Sequence, residues 1–181
     1  TIINFIFSSV FYFYQATSSF RQQYIANWTK CTHQQKLERL LEFDYIPFAS
    51  ALMSKEIFQR LGGFNDKYMH SPDYDLFLRI MCVTEIEYIS EPLTVIRRHK
   101  SNLSKSTLMT CALENIEILE DLKPIDKKSF GIQSQIANLI LVYVKQKKYI
   151  NAVQLLITKR PFIPLVKQIF RIFFMTLKMR I

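Results

Sequence analysis

Two aspartates, Asp73 and Asp75, stand two residues apart in the stretch Leu61–Ile80, LGGFNDKYMHSPDYDLFLRI. A carboxylate at the mouth of a cleft can take a proton from a hydroxyl; one at the start of a helix can equally do no more than cap it. The capping reading is sufficient on local grounds. Ser71 suits the N-cap, Pro72 the first helical position, and both acids the positive end of the helix dipole, contributions of roughly 0.3–2 kcal/mol each. Helix geometry then separates the pair. Two residues turn the chain by about 200°, so the two acids cannot hold one small ligand from one face. Asp75 precedes Arg79 by four residues, an ordinary ion-pair spacing. Asp73 precedes Leu76 and Phe77 by three and four, which turns it toward the body of the protein and makes it the better candidate for chemistry.

Other reactive residue types are sparse. Gly62 and Gly63 supply backbone freedom ahead of the acids. Arg97, Arg98 and His99 stand together in RRHKSNLS; a guanidinium pairs well with phosphate oxygens, and a histidine can meet a metal or a phosphate, although a histidine after two arginines is also an ordinary surface residue. Cys31, Cys82 and Cys111 are odd in number and widely spaced, with no paired-cysteine motif, and suggest neither a zinc site nor a disulfide framework. A reducing compartment fits them best.

These residues need a scaffold, and the sequence predicts an α/β one. The opening TIINFIFSSVFYFYQ is apolar, too short to span a bilayer and without the basic start of a signal peptide; it reads as a buried strand. ATSSFRQQYIANWTKCTHQ reads as a surface loop, Gln34–Phe43 as a helix, IPFASALMS as a short strand, and KEIFQRLGG as a helix closed by glycine. A helix to about Val83 follows, then two strands, EIEYI and LTVIRRH, the second introduced by Pro92. Beyond a boundary near residues 101–107 the pattern is helical throughout. Leu108, Ala112, Ile116 and Leu119 form one stripe, and IQSQIANLILVYVKQKKYINAVQLLITKR reads as an antiparallel helix pair turning at KQKKY.

Ordered in this way, the motifs resemble the acceptor-side half of family 2 glycosyltransferases. The similar features run from IPFASALMSKEIF through LGGFND and the acidic residues before DLFLRI to RRHKSNLS, within a match covering Ile2 to about Ser104. Their order and spacing carry the resemblance. It implies a partial GT-A, Rossmann-like domain over residues 1–104, lacking its N-terminal nucleotide-binding half, with a helical region over 105–181. It implies inverting transfer of a sugar from a nucleotide-sugar to an acceptor hydroxyl, with Asp73 as general base and a divalent metal, Mn or Mg, at the departing diphosphate. His99 matches a position at the metal or phosphates, and Arg98, Gly62 and Gly63 fall to substrate binding. Where the family carries Glu-Asp, this chain has Pro72-Asp73, keeping the base and losing its acidic neighbour. The family's nucleotide-binding βα units and metal-binding Asp-x-Asp have no counterpart here; about three units of ~30 residues would supply them. The chain starts at Thr1 and is read as a fragment, a processed form or an incomplete gene model, inactive by itself.

Charge is divided unevenly. All eleven Lys and Arg between Lys127 and Ile181 stand without a single acid, leaving thirteen basic groups against fifteen acids in the first 126 residues, a balance of −2 within a net +9. Arg160 and, in the PFIPLVKQIFRIFFMTLKMRI that follows it, Lys167, Arg171 and Lys178 fall within about 40° on a helix opposite a broad apolar face, the pattern of a helix lying on a membrane surface or packed on the protein. The expected setting is cytoplasmic and peripheral to the inner membrane face, with lipid-linked or envelope glycans as acceptors. Two rival classes stand beside the transferase. A non-catalytic remnant would use its helical tail as a membrane-surface or protein-interaction module. Nucleic-acid binding is disfavoured, because the aromatics lie away from the basic stripe.

Overall fold

The computed structural model describes residues 3–23, 25, 27–102, 107–122, 128–161, 164 and 166. The chain is mixed α/β, and the described residues form a four-stranded mixed sheet and six α-helices. It divides into two compact units, Thr1–Leu40 with Asp44–Thr107, and Leu41–Phe43 with Leu108–Ile181.

The first unit is built on β1 (Phe5–Tyr14), the apolar opening run. Its whole length is used on one edge by β4 (Glu87–Arg98), in parallel register from Ile6 opposite Glu87 to Tyr14 opposite Arg98. The other edge is shared end to end by two antiparallel partners, β3 (Ala51–Met53) on Phe5–Phe7 and β2 (Ser19–Gln23) on Val10–Tyr14. Flanked on both sides, β1 buries Phe5, Phe7 and Val10 completely or nearly so, as a central strand with a near-continuous apolar run should.

Three local expectations are corrected. EIEYI and LTVIRRH are one strand, β4, because Pro92, which has no N–H to give, falls where the register slips opposite Ser8–Val10; the extra residues are absorbed as bulges rather than as a break. The expected loop after β1 instead folds back as β2 and then buries Trp28 in a single 3-10 turn, where its ring meets Phe7 edge-on. IPFASALMS gives only three strand residues, preceded by a 3-10 turn over Phe48–Ser50 that Ser50 ties to the carbonyl of Ser8.

The helices of this unit begin where their polar signals stand. α1 (His33–Glu42) opens one residue before the expected start on a capping box, the Gln35 N–H bonding the Thr32 hydroxyl while the Gln35 side chain accepts from the Thr32 N–H. α2 (Lys55–Arg60) is capped by the Ser54 hydroxyl, which accepts from the Ile57 N–H. α3 (Pro72–Met81) starts with Pro72 in the first turn and buries almost its whole length, Tyr74 through Leu78 with Ile80 and Met81.

In the second unit α4 (Leu108–Asp121), α5 (Lys128–Lys145) and α6 (Tyr149–Lys159) pack in succession. The KQKKY turn falls at Gln146–Lys148, with Lys147 at φ 60°, and folds α6 back on α5 around Ile136, Ile140 and Ala152. Small Ala152 lets the two helices approach closely. Of the basic stripe, only Arg160 belongs to the described residues; Lys167, Arg171 and Lys178 lie outside them. No helix among the described residues is long and apolar enough to cross a membrane.

Candidate functional site

The stretch that raised the question of chemistry is organised by one side chain, Arg79. Its guanidinium grips Asp75 Oδ2 through Nη2 at 2.6 Å and Nε at 2.9 Å, donates from Nη1 to the carbonyl of Leu61 at 2.6 Å, and reaches the carbonyl of Gly63 from Nη2 at 2.8 Å. The planar fork of arginine allows this set of bonds to be made at once. Asp75 makes the i,i+4 ion pair its spacing suggested, but a buried one: it is 6% exposed, and through Arg79 it fastens α3 to the turn that closes α2.

Gly62 and Gly63 make that turn. Gly62, at φ 80°, donates to the carbonyl of Gln59, and Gly63, at φ 69°, donates to that of Phe58, the paired bonds of a Schellman cap. The two glycines thus end α2 and offer the Gly63 carbonyl to Arg79. Their place in the structure is the frame under the loop leading to α3.

Asp73 stands free of that frame. Its Oδ1 accepts the N–H of Tyr74 at 3.0 Å, while the Ser71 hydroxyl, at the N-cap position, makes no capping bond to the helix. Burial pushes the Asp73 carboxyl above the usual carboxylate range, against the pull of hydrogen bonds from the Tyr74 and Asp73 backbone.

The sequence reading missed the second acid of the site. Asp44 follows α1, and its Oδ1 accepts the N–H of Ile46 at 3.3 Å. Burial pushes its carboxyl up to about 8, and the negative charge of Asp73 adds to the effect. Part of the residue's surface remains accessible, while the carboxyl itself is desolvated by surrounding protein. The neighbours hold this segment in place: the Tyr74 hydroxyl of α3 bonds the carbonyl of Leu40 at 3.0 Å, Phe48 packs on Phe77 of α3, and the Tyr45 hydroxyl ties the segment back to α1 through the carbonyl of Lys36 at 3.0 Å. Burial, with the charge of Asp73 adding to it, favours the protonated form of Asp44 at neutral pH, so that Asp44 can serve as a proton donor in the neighbourhood of Asp73.

Arg98 and His99 lie at the end of β4. The Arg98 guanidinium sits 4.5 Å over the Tyr12 ring. Arg97 bonds the Gln15 side chain at 2.9 and 3.2 Å. His99 gives its backbone N–H to Asn102 Oδ1, while Asn102 donates to the carbonyl of Arg97. Arg98 is joined to the acid pair by a chain of contacts. Under it, the Tyr12 hydroxyl donates to Gln23 Oε1 at 2.6 Å, and Gln23 Nε2 donates to the carbonyl of Tyr45, next to Asp44. Among the described residues no group of three His, Cys, Asp or Glu side chains is placed to hold a metal ion, and His99 is not part of such a group there.

Compared with known proteins, the chain matches no family model, no curated protein and no solved structure.

Proposed function

We propose that this chain is the acceptor-side part of an inverting glycosyltransferase of family 2, with a partial GT-A domain in its first unit and Asp73 as general base. The feature that supports the reading is Asp73 itself, a partly buried carboxyl at the start of a helix locked in place by Arg79, with Asp44 as a neighbour whose carboxyl burial pushes up to about 8. An acceptor hydroxyl attacking an anomeric carbon must lose its proton as the new C–O bond forms and the bond to the leaving diphosphate breaks. Asp73 takes that proton. Asp44, still carrying its own, donates a hydrogen bond to an acceptor oxygen and holds it in line. A divalent Mn or Mg ion would supply the counter-charge for the departing diphosphate, and no described residues form a site for it. Arg98 and His99 are assigned to the phosphate end of the donor, a nucleotide-sugar whose remaining contacts come from beyond this chain. Glycans, including lipid-linked ones, are the acceptor class, and the basic C-terminal segment is the proposed contact with a membrane surface.

Asp73→Asn in the native full-length protein tests the base. Sugar transfer from a nucleotide-sugar panel is expected to fall by at least about 10²-fold, the lower end of what a positioned base contributes, with donor affinity unchanged. Turnover preserved in that variant overturns the assignment and leaves the non-catalytic interaction module in its place.

A further inference from the structure

Five phenylalanine rings run without a break between the interior of the first unit and its surface. Phe5 meets Phe77 at 5.1 Å, Phe77 meets Phe48 at 6.4 Å, Phe48 meets Phe64 at 6.0 Å, and Phe64 meets Phe58 at 5.4 Å. Phe5 and Phe77 are sealed off from solvent, whereas Phe48 and Phe64 are 51% and 41% exposed. One exposed phenylalanine needs no explanation. Two in contact, backed by buried rings, form a surface that is held rigid.

The position of that surface gives it meaning. Phe77 follows Asp73 by four residues, hence one turn along the same face of α3, and Phe48 follows Asp44 by four residues in the segment alongside. The two segments meet ring against ring at Phe48 and Phe77. Phe77 lies about 6 Å along α3 from Asp73, and Phe48 and Phe64 continue outward from it to the surface.

We propose that Phe48 and Phe64 are the stacking platform for the acceptor's sugar ring, delivering its hydroxyl to Asp73. The inference rests on the reading of Asp73 as base and names the acceptor as a pyranoside with one face rich in C–H bonds. Such a face carries partial positive charge and is drawn to the negative face of an aromatic ring, while the hydroxyls at the rim seek carboxyl partners. A lipid chain would gain from the rings but nothing from Asp44 and Asp73. Two rings also fall far short of the ~800 Å² per partner of a stable protein interface.

Saturation-transfer NMR on the full native protein, with methyl β-D-glucopyranoside and methyl β-D-galactopyranoside as probes and octyl phosphate as the apolar comparison, tests this. The ring C–H protons of at least one glycoside are expected to receive saturation. Phe48→Ala should weaken its binding about three- to tenfold, the range that one aromatic contact supports, and Phe48→Tyr should restore it. Phe64→Ala gives the same result, with circular dichroism confirming that loss of its contact with Phe58 has not unfolded the protein. No glycoside saturation at millimolar concentration, equal binding in Phe48→Ala, or stronger dependence of octyl phosphate on Phe48 overturns the platform. Glycoside binding that needs Phe48 in a protein without transfer activity sinks the transferase reading alone. Transfer that needs Asp73 with an acceptor KM indifferent to Phe48 sinks the platform alone.

Discussion

For Asp44 and Asp75 the local sequence is a poor guide to what the acid does. Asp75 carries an i,i+4 partner, and that spacing is the same on an exposed helix face as on a buried one, so nothing in DYDLFLR reveals that Arg79 also spans to Leu61 and Gly63. Asp44 has no local signal at all. Its neighbour Asp73 is 29 residues away, and only the docking of α3 onto the segment after α1 brings the two together. The partial burial of Asp73 was legible, because three- and four-residue spacing to Leu76 and Phe77 sets its face.

Both acids have testable consequences. The Asp44 pKa is raised on folding, so the folded form holds more protons than the unfolded one between the ordinary carboxylate range and about 8, and stability falls as pH rises through that window. Asp44→Asn, which keeps the oxygen that bonds the Ile46 N–H, is expected to raise Tm relative to the native chain at pH 8–9 and to leave it nearly unchanged at pH 4; thermal melts across that range check it. Arg79→Lys should lose about 2–3 kcal/mol in urea unfolding, since an ammonium cannot serve Asp75 and two carbonyls together.

Among elements, starts were more legible than pairings. Ser54 and Pro72 sit at the beginnings of α2 and α3, as capping chemistry demands, whereas β2 was taken for a loop and β4 was divided in two. Cap signals are confined to a few residues; a strand's identity depends on the partner it finds, and here β1 supplies that partner for all three others. The end of α2 offers a clean comparison. A Cβ added at Gly62 meets nothing within 4 Å, so Gly62→Ala should cost only the left-handed backbone, about 1–2 kcal/mol. At Gly63 the same backbone cost is joined by the Phe58 ring, 3.1 Å from the added carbon, and Gly63→Ala should destabilise more. Paired denaturation curves give the order directly.

For the molecule as a whole, the charge asymmetry and the change of pattern beyond residue 101 pointed to a second region, and α4, α5 and α6 follow there. They gave no hint that Leu41–Phe43, the last residues of α1 and the one after, group with it. Gly131 on α5 explains this grouping: its Cα stands so close that an added Cβ would lie 3.0 Å from both the Cβ and the carbonyl oxygen of Leu41, and Gln135 Nε2 bonds the carbonyl of Glu42 at 3.3 Å. Replacing a mid-helix glycine by alanine ordinarily stabilises a helix by about 1 kcal/mol. Gly131→Ala should instead lower Tm, because backbone atoms cannot step aside as a side-chain end can; calorimetry on the variant decides between the two.

This arrangement has a consequence for how such a protein can be inherited and rebuilt. Modules joined by a simple linker can be traded by recombination at the linker. Here the helical region reaches back for three residues encoded more than sixty positions upstream, so a crossover near residue 107 would deliver its helices without the surface that Gly131 and Gln135 are shaped to meet. Exchange of the tail between relatives is therefore expected to succeed only where LLEF travels with it, or where the incoming α5 carries its own glycine to receive it.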